Sequence, residues 1–351
     1  MLRLRFYTKG DRSYPSSRYR AFQFQSALLA EGIDLQIKPL FGAAWMLGGT
    51  PGGGRFRRLA LGSFYAAKRL LSLLQSAAVD LIIIEQELVP LLPAGFERLL
   101  LGSSTPVLIE LDDAHHLLPS RAAKLGAWFA SAEAVIAGNE MLARAVRLAG
   151  GRPIVVPTCI DLQHYPEADL AQQAALQDGQ PLRLIWVGLP SNITQLLEVR
   201  AALQPALESG RVNLTVVSDA SADLQGLPAV LVPWSEAAER QEMSRAQVGL
   251  MPLPNSPWAA GKCALKLLQY QAAGLACIGS PVGMNGELSA QGGVVLAEEV
   301  KDWSEAFERL RDSALRRSLA AAGRQLVKES YSVQAWAPKL ARIYRNLAPR
   351  R

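Results

Sequence analysis

The sequence predicts an α/β protein built from two doubly wound parallel-sheet domains. Three observations carry this. The chain has 351 residues, more than one ordinary core holds and suited to two domains of ~150 to 180 residues each. Short apolar runs alternate with longer amphipathic stretches along its whole length, the pattern of repeated strand–helix–strand units. The alternation lapses at one place, the Ala- and Gln-rich stretch 167–180, and then restarts, as it does across a linker.

In the first half the expected strands are LRLRFYT, DLQIKPL, LIIIEQ, PVLIEL, AVIAGN and PIVVPT. Helical stretches lie between them. SRYRAFQFQSALLAEG closes at Gly32 and EMLARAVRLAGG at Gly150, the place for a glycine just past a helix end. In the second half LRLIWVG, NLTVVS, AVLVPW, VGLMPL, ACIGSP and GVVLA alternate with helices starting near Asn192, Glu236, Lys262 and Asp302. The expected domains are 1–165 and 166–333, with a basic helix at about 334–351 packing back on the first. One segment departs from the pattern: GGTPGGGRFRRLALGSFYAAKRLLSLL joins a glycine-rich loop to Arg55, Arg57 and Arg58. It reads either as a solvated basic connection or as a holder, through Arg57, of an anionic acceptor or membrane surface.

Apolar residues make up 50% of the chain and charged residues 19%, which separates it from disordered proteins. No run approaches the length of a membrane span, and MLRLRFYTKG lacks the apolar segment of a signal peptide. Cys159, Cys263 and Cys277 are scattered, so neither a disulfide framework nor a zinc site is expected, and a reducing cytoplasm is. Of the net charge of +6, residues 1–162 carry 18 − 13 = +5. That basic half and the basic tail point weakly to peripheral contact with the anionic inner face of the membrane. With no RNP-like motif, zinc finger or helix-turn-helix signature, nucleic acid is not an expected partner.

The densest chemistry lies in 251–287, MPLPNSPWAAGKCALKLLQYQAAGLACIGSPVGMNGE, read as strand, loop, helix, strand and loop. Lys262, Lys266 and Gln269 fall at i, i+4 and i+7, on a stripe apart from the buried one of Leu265, Leu268 and Ala272. A helix start with lysines beside it suits a diphosphate, because free amides, dipole and ammonium groups all favour negative charge. Read alone, the stripe is more simply a solvated lysine face. The same logic recurs elsewhere, however. Strand LRLIWVG runs through Gly188 into Ser191 and Asn192, which either cap the next helix or touch a phosphate. After ACIGS, the turn from Pro281 to Gly286 brings Gly283, Asn285 and then Glu287 to a third strand end.

In the first half, Ser16 or Ser17 is placed to cap a helix whose first turn holds Arg18 and Arg20. Cations are unfavourable there unless a phosphate or carboxylate faces them. Strand PVLIEL ends in Asp112, Asp113, Ala114, His115 and His116, where acid–base work or the holding of sugar hydroxyls is possible. A metal site would need further ligands at suitable spacing, and none is expected. Glu87, after LIIIEQ, is expected to pair with a neighbouring arginine.

These residues together resemble the GT-B glycosyltransferases, in particular the family 4-like bacterial enzymes of polysaccharide synthesis. The resemblance covers nearly the whole chain. It is carried by SSRYRAFQFQSALLAEGI, ELDDAHH, VIAGNEMLA and PTCID in the first half, and by LMPL, PW, GKCALKLLQYQAAG and SPVGMNGE in the second. It implies two Rossmann-like domains facing across a cleft. It also implies transfer of a hexose from a nucleotide diphosphate sugar to a glycan or lipid-linked acceptor, with retention and without metal or other cofactor. Donor contacts would come from Gly188, Ser191, Asn192, Trp258, Gly261, Lys262, Lys266, Gln269, Gly283, Asn285 and Glu287. Asp112, Asp113 and His116 would be catalytic, with Ser17, Arg18, Arg20 and Arg57 on the acceptor or phosphate side. Gln269 stands where such enzymes place a ribose-holding glutamate, and the partner glutamate falls at Gly261. The departure admits two readings, a donor contacted differently and a non-catalytic nucleotide-sugar-binding protein; a nucleotide-sugar epimerase of the same fold is the rival enzyme. A nicotinamide dehydrogenase is disfavoured because no GxGxxG follows either domain's first strand.

Overall fold

The computed structural model describes residues 1–42, 55–74, 79–89, 92–101, 105–166 and 181–349, with residues 55–61, 74 and 100 as backbone. The glycine-rich loop at 48–54, the stretch 167–180 and the Arg57 side chain lie outside the described residues. The chain divides into two compact units, Met1–Thr158 with Trp336–Arg351, and Cys159–Ala335. Ile160 already belongs to the second unit: its N–H donates to the Tyr331 carbonyl at 2.8 Å and its carbonyl accepts from the Val333 N–H at 3.0 Å.

The first unit holds strands β1 (Leu2–Gly10), β2 (Ile33–Phe41), β3 (Leu81–Glu85), β4 (Val107–Leu111), β5 (Ala134–Ala137) and β6 (Pro153–Val155). They form one parallel sheet in the order β2-β1-β3-β4-β5-β6. Its helices are α1 (Pro15–Arg20), α2 (Gln25–Ala30), α3 (Arg55–Leu74), α4 (Ala94–Leu101), α5 (Pro119–Ser131) and α6 (Glu140–Leu148). Every residue of β3, β4 and β5 is buried, as befits strands covered on both faces. The expected helix from Ser17 to Gly32 starts earlier, at Pro15 after Tyr14, so that Ser17 is not its cap and Arg18 and Arg20 lie in its last turn. It is also broken, with α1 ending at Arg20, a 3-10 turn spanning Phe22–Phe24, and α2 following. α6 starts where Asn139 caps it, accepting from the Leu142 N–H at 2.9 Å, and Gly32 and Gly150 take the expected left-handed φ of 75° and 79°.

The second unit repeats the plan with β7 (Leu182–Val187), β8 (Val212–Ser218), β9 (Val230–Pro233), β10 (Val248–Met251), β11 (Ala276–Gly279) and β12 (Val294–Leu296). The parallel order is β12-β11-β10-β7-β8-β9. The helices are α7 (Ile193–Leu197), α8 (Arg200–Glu208), α9 (Glu236–Arg245), α10 (Pro257–Ala260), α11 (Leu265–Ala272), α12 (Met284–Gln291), α13 (Val300–Arg309), α14 (Ser313–Ser330) and α15 (Val333–Leu347). Trp186, Leu203, Leu250, Trp303 and Phe307 meet in its core. α15 starts in this unit, and from Trp336 onward its residues belong to the first, where Tyr344 is buried and Arg345 donates to the Glu31 carbonyl. Among the described residues no helix is long and apolar enough to cross a membrane.

Strand order fixes where ligands can enter. In each sheet it reverses once, between β1 and β3 and between β7 and β10. Chain segments leave such a switch point in opposite directions and open a crevice at the carboxyl edge of the strands.

Candidate functional site

In the second unit β7 and β10 pair at Leu184 with Val248 and at Ile185 with Gly249, and then part. Past that point the Val187 N–H is met by a side chain, donating to the Tyr270 hydroxyl at 2.9 Å. Tyr270 belongs to α11. Its ring lies against β10 at Gly249, where an added Cβ would fall 2.1 Å from Cδ2 and 2.2 Å from Cγ. Glycine at 249 is thus a packing requirement, and it docks α11 onto the opening between the strands.

Gly188 follows β7 under a similar constraint. A Cβ there would fall 2.5 Å from the Trp186 ring and 3.1 Å from Lys266 Nζ. Nζ stands 4.2 Å over the centroid of that buried ring, a cation–π contact. Burial pushes the Lys266 ammonium down to about 7, and the nearby charge of Lys262 acts in the same direction. Two lysines therefore crowd one spot, an arrangement that an anion relieves.

The helix expected to begin at Lys262 begins instead at Leu265. Ser256 caps the short α10 by accepting from the Ala259 N–H, and Gly261 and Lys262 lie in the connection that follows it. Ala264 then takes a left-handed φ of 50°, and α11 begins at Leu265 with no side-chain cap. Trp258 and Lys262 are partly exposed. Gln269 is not on a solvated face: it is 3% exposed, and its Nε2 donates to Glu239 Oε1 at 2.5 Å. Glu239 Oε2 accepts from Trp234 Nε1 at 2.6 Å. No local sequence pattern marks Glu239, which is distant along the chain from Gln269.

At the β11 end, Gly283 presses against α10, where an added Cβ would fall 2.5 Å from the Ala260 carbonyl oxygen. Asn285, read as a donor contact, is buried, and its Nδ2 donates to the Ser280 carbonyl at 3.0 Å. That bond holds the turn, so the amide serves the loop. Glu287 is exposed in the first turn of α12. At the β7 end Ser191 is exposed, and neither it nor Asn192 caps α7; Asn192 Oδ1 accepts from Gln195 Nε2 at 3.5 Å.

The first unit gathers a polar cluster at its own switch point. Ser17 is buried, donating to Glu85 Oε2 at 2.6 Å and accepting from the Gly10 N–H at 3.0 Å. The carboxylate expected to face the α1 arginines exists for Arg20: its Nε donates to Glu110 Oε1 at 2.6 Å and its Nη2 to the Val156 carbonyl at 2.9 Å. Arg20 is itself buried, so this pair ties α1 to β4. Arg18 lies over the Tyr19 ring at 5.0 Å. Glu87 pairs with Arg121 at 3.2 Å, and with Lys124 at 3.1 Å.

Gln86 links these groups. It sits after β3 at a left-handed φ of 63°, strain that in a residue with a side chain gathers at functional edges. Its Nε2 reaches Asp112 Oδ1 at 3.3 Å and its Oε1 accepts from Arg121 at 3.1 Å. Arg121 also stands 3.3 Å from His115 Nδ1. A guanidinium only donates, so that nitrogen is the acceptor of a neutral ring, and burial pushes His115 down to about 4. The neighbouring His116 instead lies against Phe129, with its Nδ1 buried and lacking a hydrogen-bond partner. Of the two histidines, His115 feels the charge of Asp112. Asp113 is partly exposed beside them. Among the described residues no three His, Cys, Asp or Glu side chains are grouped to hold a metal ion.

Glu85 is buried, and burial followed by the charge of Asp112 raises its carboxyl from 4.5 to about 7. A raised acid holds its proton in the folded state after the unfolded chain has lost it. The stability it contributes is therefore present below about 4.5 and is lost as pH rises to about 7. Glu85→Gln is expected to lose none of it, so the melting difference between variant and native chain should grow from pH 5 to pH 8. The full difference is on the order of 3 kcal/mol, and a constant one across that range would contradict the assignment.

No family model and no curated protein matches the sequence. Solved structures do. Sucrose-phosphate synthase from Thermosynechococcus elongatus superposes with a TM-score of 0.72 at 16% identity, over 99% of both chains. Anabaena HepE in complex with UDP-glucose gives 0.68 at 13%, over 99% of this chain and 100% of that one. The trehalose 6-phosphate synthase of Burkholderia multivorans gives 0.67 at 14%, over 100% of both. Two parallel six-stranded sheets with flanking helices, shared with these enzymes from end to end, give this chain the fold of the GT-B glycosyltransferases.

Proposed function

We propose that the protein is a retaining glycosyltransferase that takes a hexose from a nucleotide diphosphate sugar, without a metal, and passes it to a glycan or lipid-linked acceptor. The observation that carries the reading is Lys266, set over Trp186 and beside Gly188 on the uncapped helix α11. The structural likeness to HepE, solved with UDP-glucose, supports the donor class.

Sugar transfer gathers positive charge at the anomeric carbon while the departing diphosphate becomes more negative. Lys266, Lys262 and the first amides of α11 answer the second need. The bond from the anomeric carbon to the diphosphate oxygen breaks, and a bond to the acceptor oxygen forms on the same face. The acceptor's proton passes to the departing phosphate, which needs no side chain as nucleophile. Asp112, Asp113 and His116 are assigned to sugar or acceptor hydroxyls, and Ser17, Arg18, Arg20 and Arg57 to the acceptor or phosphate side. Of these, Ser17 and Arg20 act through the backbone they hold. Peripheral contact with the inner face of the cytoplasmic membrane belongs to the same proposal.

Thermal shift with UDP-, GDP-, dTDP- and ADP-sugars tests the donor class. One of them is expected to stabilise the chain, by about 2.7 kcal/mol at a concentration a hundred times its Kd. Incubation with acceptor should then release the nucleoside diphosphate and a glycoside, seen by mass spectrometry. An epimerised nucleotide sugar would indicate the alternative chemistry, and no shift with any donor would overturn the reading. Gly261 and Gln269, where carboxylates would be expected, favour one second reading, donor binding without turnover; it predicts a shift with no slow hydrolysis.

A further inference from the structure

An ordinary surface helix turns apolar residues inward and charged ones outward. Two consecutive helices of the first unit carry the reverse arrangement. On α3 the buried charge is Arg69, whose Nη1 donates to the Lys38 carbonyl and Nη2 to the Thr8 carbonyl, both at 2.7 Å, with the guanidinium 4.9 Å from the centre of the Tyr7 ring. On α4 it is Glu97, whose carboxylate accepts from the Val89 N–H, from Lys124 and from Trp128 Nε1. Arg69 feels the charge of Glu97, which sets the two inward faces near each other.

Away from these charges the helices show apolar side chains to solvent. At about 3.6 residues per turn, Phe64 and Leu71 fall on one line of α3, opposite Arg69, and they are 61% and 56% exposed. Phe96 and Leu99 share the side of α4 away from Glu97, 50% and 75% exposed. α3 joins β2 to β3 and α4 joins β3 to β4, both crossing the sheet in the same direction. Right-handed crossovers that run one way lie on one face of a parallel sheet, so the four side chains belong to one surface. Its charge is one-sided. The 20 residues of α3 hold five cations and no acid, and the acid of α4 is the buried Glu97. Lys68 is exposed there, as is Arg98, which donates to the Ser131 carbonyl.

An apolar surface of this kind marks an interaction site, and the cations select its partner. A second copy of the chain, docked by the same face, would set these cations against their own images. A bilayer with anionic headgroups answers both features at once, taking aromatic and aliphatic side chains at the acyl boundary and cations at the phosphates. We propose that α3 and α4 form a membrane-docking face, with Phe64, Leu71, Phe96 and Leu99 entering the interface of an anionic bilayer and Lys68 and Arg98 meeting its phosphates. This gives the membrane contact named above a definite surface, and it does not depend on the donor site.

The test is co-sedimentation of the full chain with vesicles of phosphatidylcholine alone and of phosphatidylcholine mixed equally with phosphatidylglycerol. The native chain is expected to bind the mixed vesicles at least tenfold more tightly. Most of that preference should vanish at about 1 M salt, where the screening length falls to about 3 Å. Phe64→Ser with Leu71→Ser, and separately Phe96→Ser with Leu99→Ser, should each weaken binding to the mixed vesicles at least tenfold. These side chains are exposed, so the unfolding midpoint of either pair should stay at the native value or rise, which separates lost docking from lost fold. Lys68→Glu should weaken binding to the mixed vesicles by about fivefold or more and leave the neutral ones unaffected. A native chain that stays in the supernatant with both vesicles would overturn the proposal, as would equal binding to both or serine pairs that bind like the native chain. Serine pairs that dissociate an oligomer and leave vesicle binding intact would assign the face to a second copy, and overturn it too. Vesicle binding as expected in a chain that no nucleotide sugar stabilises would uphold this surface and bring down the donor reading alone.

Discussion

Lys266→Ala is expected to weaken donor binding by about tenfold to a hundredfold and to lower kcat/KM by roughly a thousandfold. A hydrogen bond to a charged group contributes about 1.5 to 3 kcal/mol, and losing a group aimed at developing charge costs about 10² to 10³ in rate. The effect has a pH signature. Burial and Lys262 hold the free Lys266 at about 7, and an arriving diphosphate favours its protonated form. Above about pH 7 donor binding should therefore take up a proton, and native affinity should fall as pH rises. The alanine variant should lack this dependence. Lys266→Met keeps the stem beside Trp186 and removes only the charge, so it should behave like alanine in binding while melting close to native. Isothermal titration in buffers of different ionisation enthalpy reads both quantities. Full affinity in both variants would mean that the lysine is structural.

Gly249→Ala is the second large effect, and it acts at a distance from any ligand. The new methyl would fall 2.1 Å from the Tyr270 ring, at the root of a side chain whose hydroxyl holds the Val187 N–H. The ring cannot yield without moving α11. Overpacking a filled core costs about 1 to 3 kcal/mol, and the broken bond to Val187 adds about 1 to 3 kcal/mol more. The expected outcome is a clear fall in the unfolding midpoint of the second unit together with weakened donor binding. Tyr270→Phe removes the bond and keeps the ring, so it should show the smaller loss alone. Equal behaviour of the two variants would show that α11 is not seated by this contact.

Much of this fold is legible in the sequence, for a physical reason. Strands of a parallel sheet are buried on both faces and read as apolar runs, and all the expected runs, from LRLRFYT to GVVLA, are strands. The glycines read as helix ends, Gly32 and Gly150, adopt the conformation that role requires. What escaped detection is local or distant. The helical period runs unbroken through GKCALKLLQY, so nothing announces that Ala264 turns left-handed and that the helix starts at Leu265. Glu239 pairs with Gln269, and Arg20 with Glu110, across long stretches of chain; single-sequence patterns hold no record of such partners. His115 and His116 are neighbours of the same chemistry, and only the packing of His116 against Phe129 separates them. Asn285 is the reverse case, a polar residue in a plausible loop whose amide is used by the loop itself.

The central claim is that a diphosphate rests on the amino end of α11 beside Lys266 and Gly188. A crystal structure of the chain with UDP, the nucleotide seen in HepE, or with whichever nucleoside diphosphate the thermal screen selects, addresses it most directly. Phosphate oxygens are expected within hydrogen-bond range of Lys266 Nζ and of the first amides of α11. A nucleotide bound with its phosphates elsewhere, leaving Lys266 over Trp186 and untouched, would contradict it.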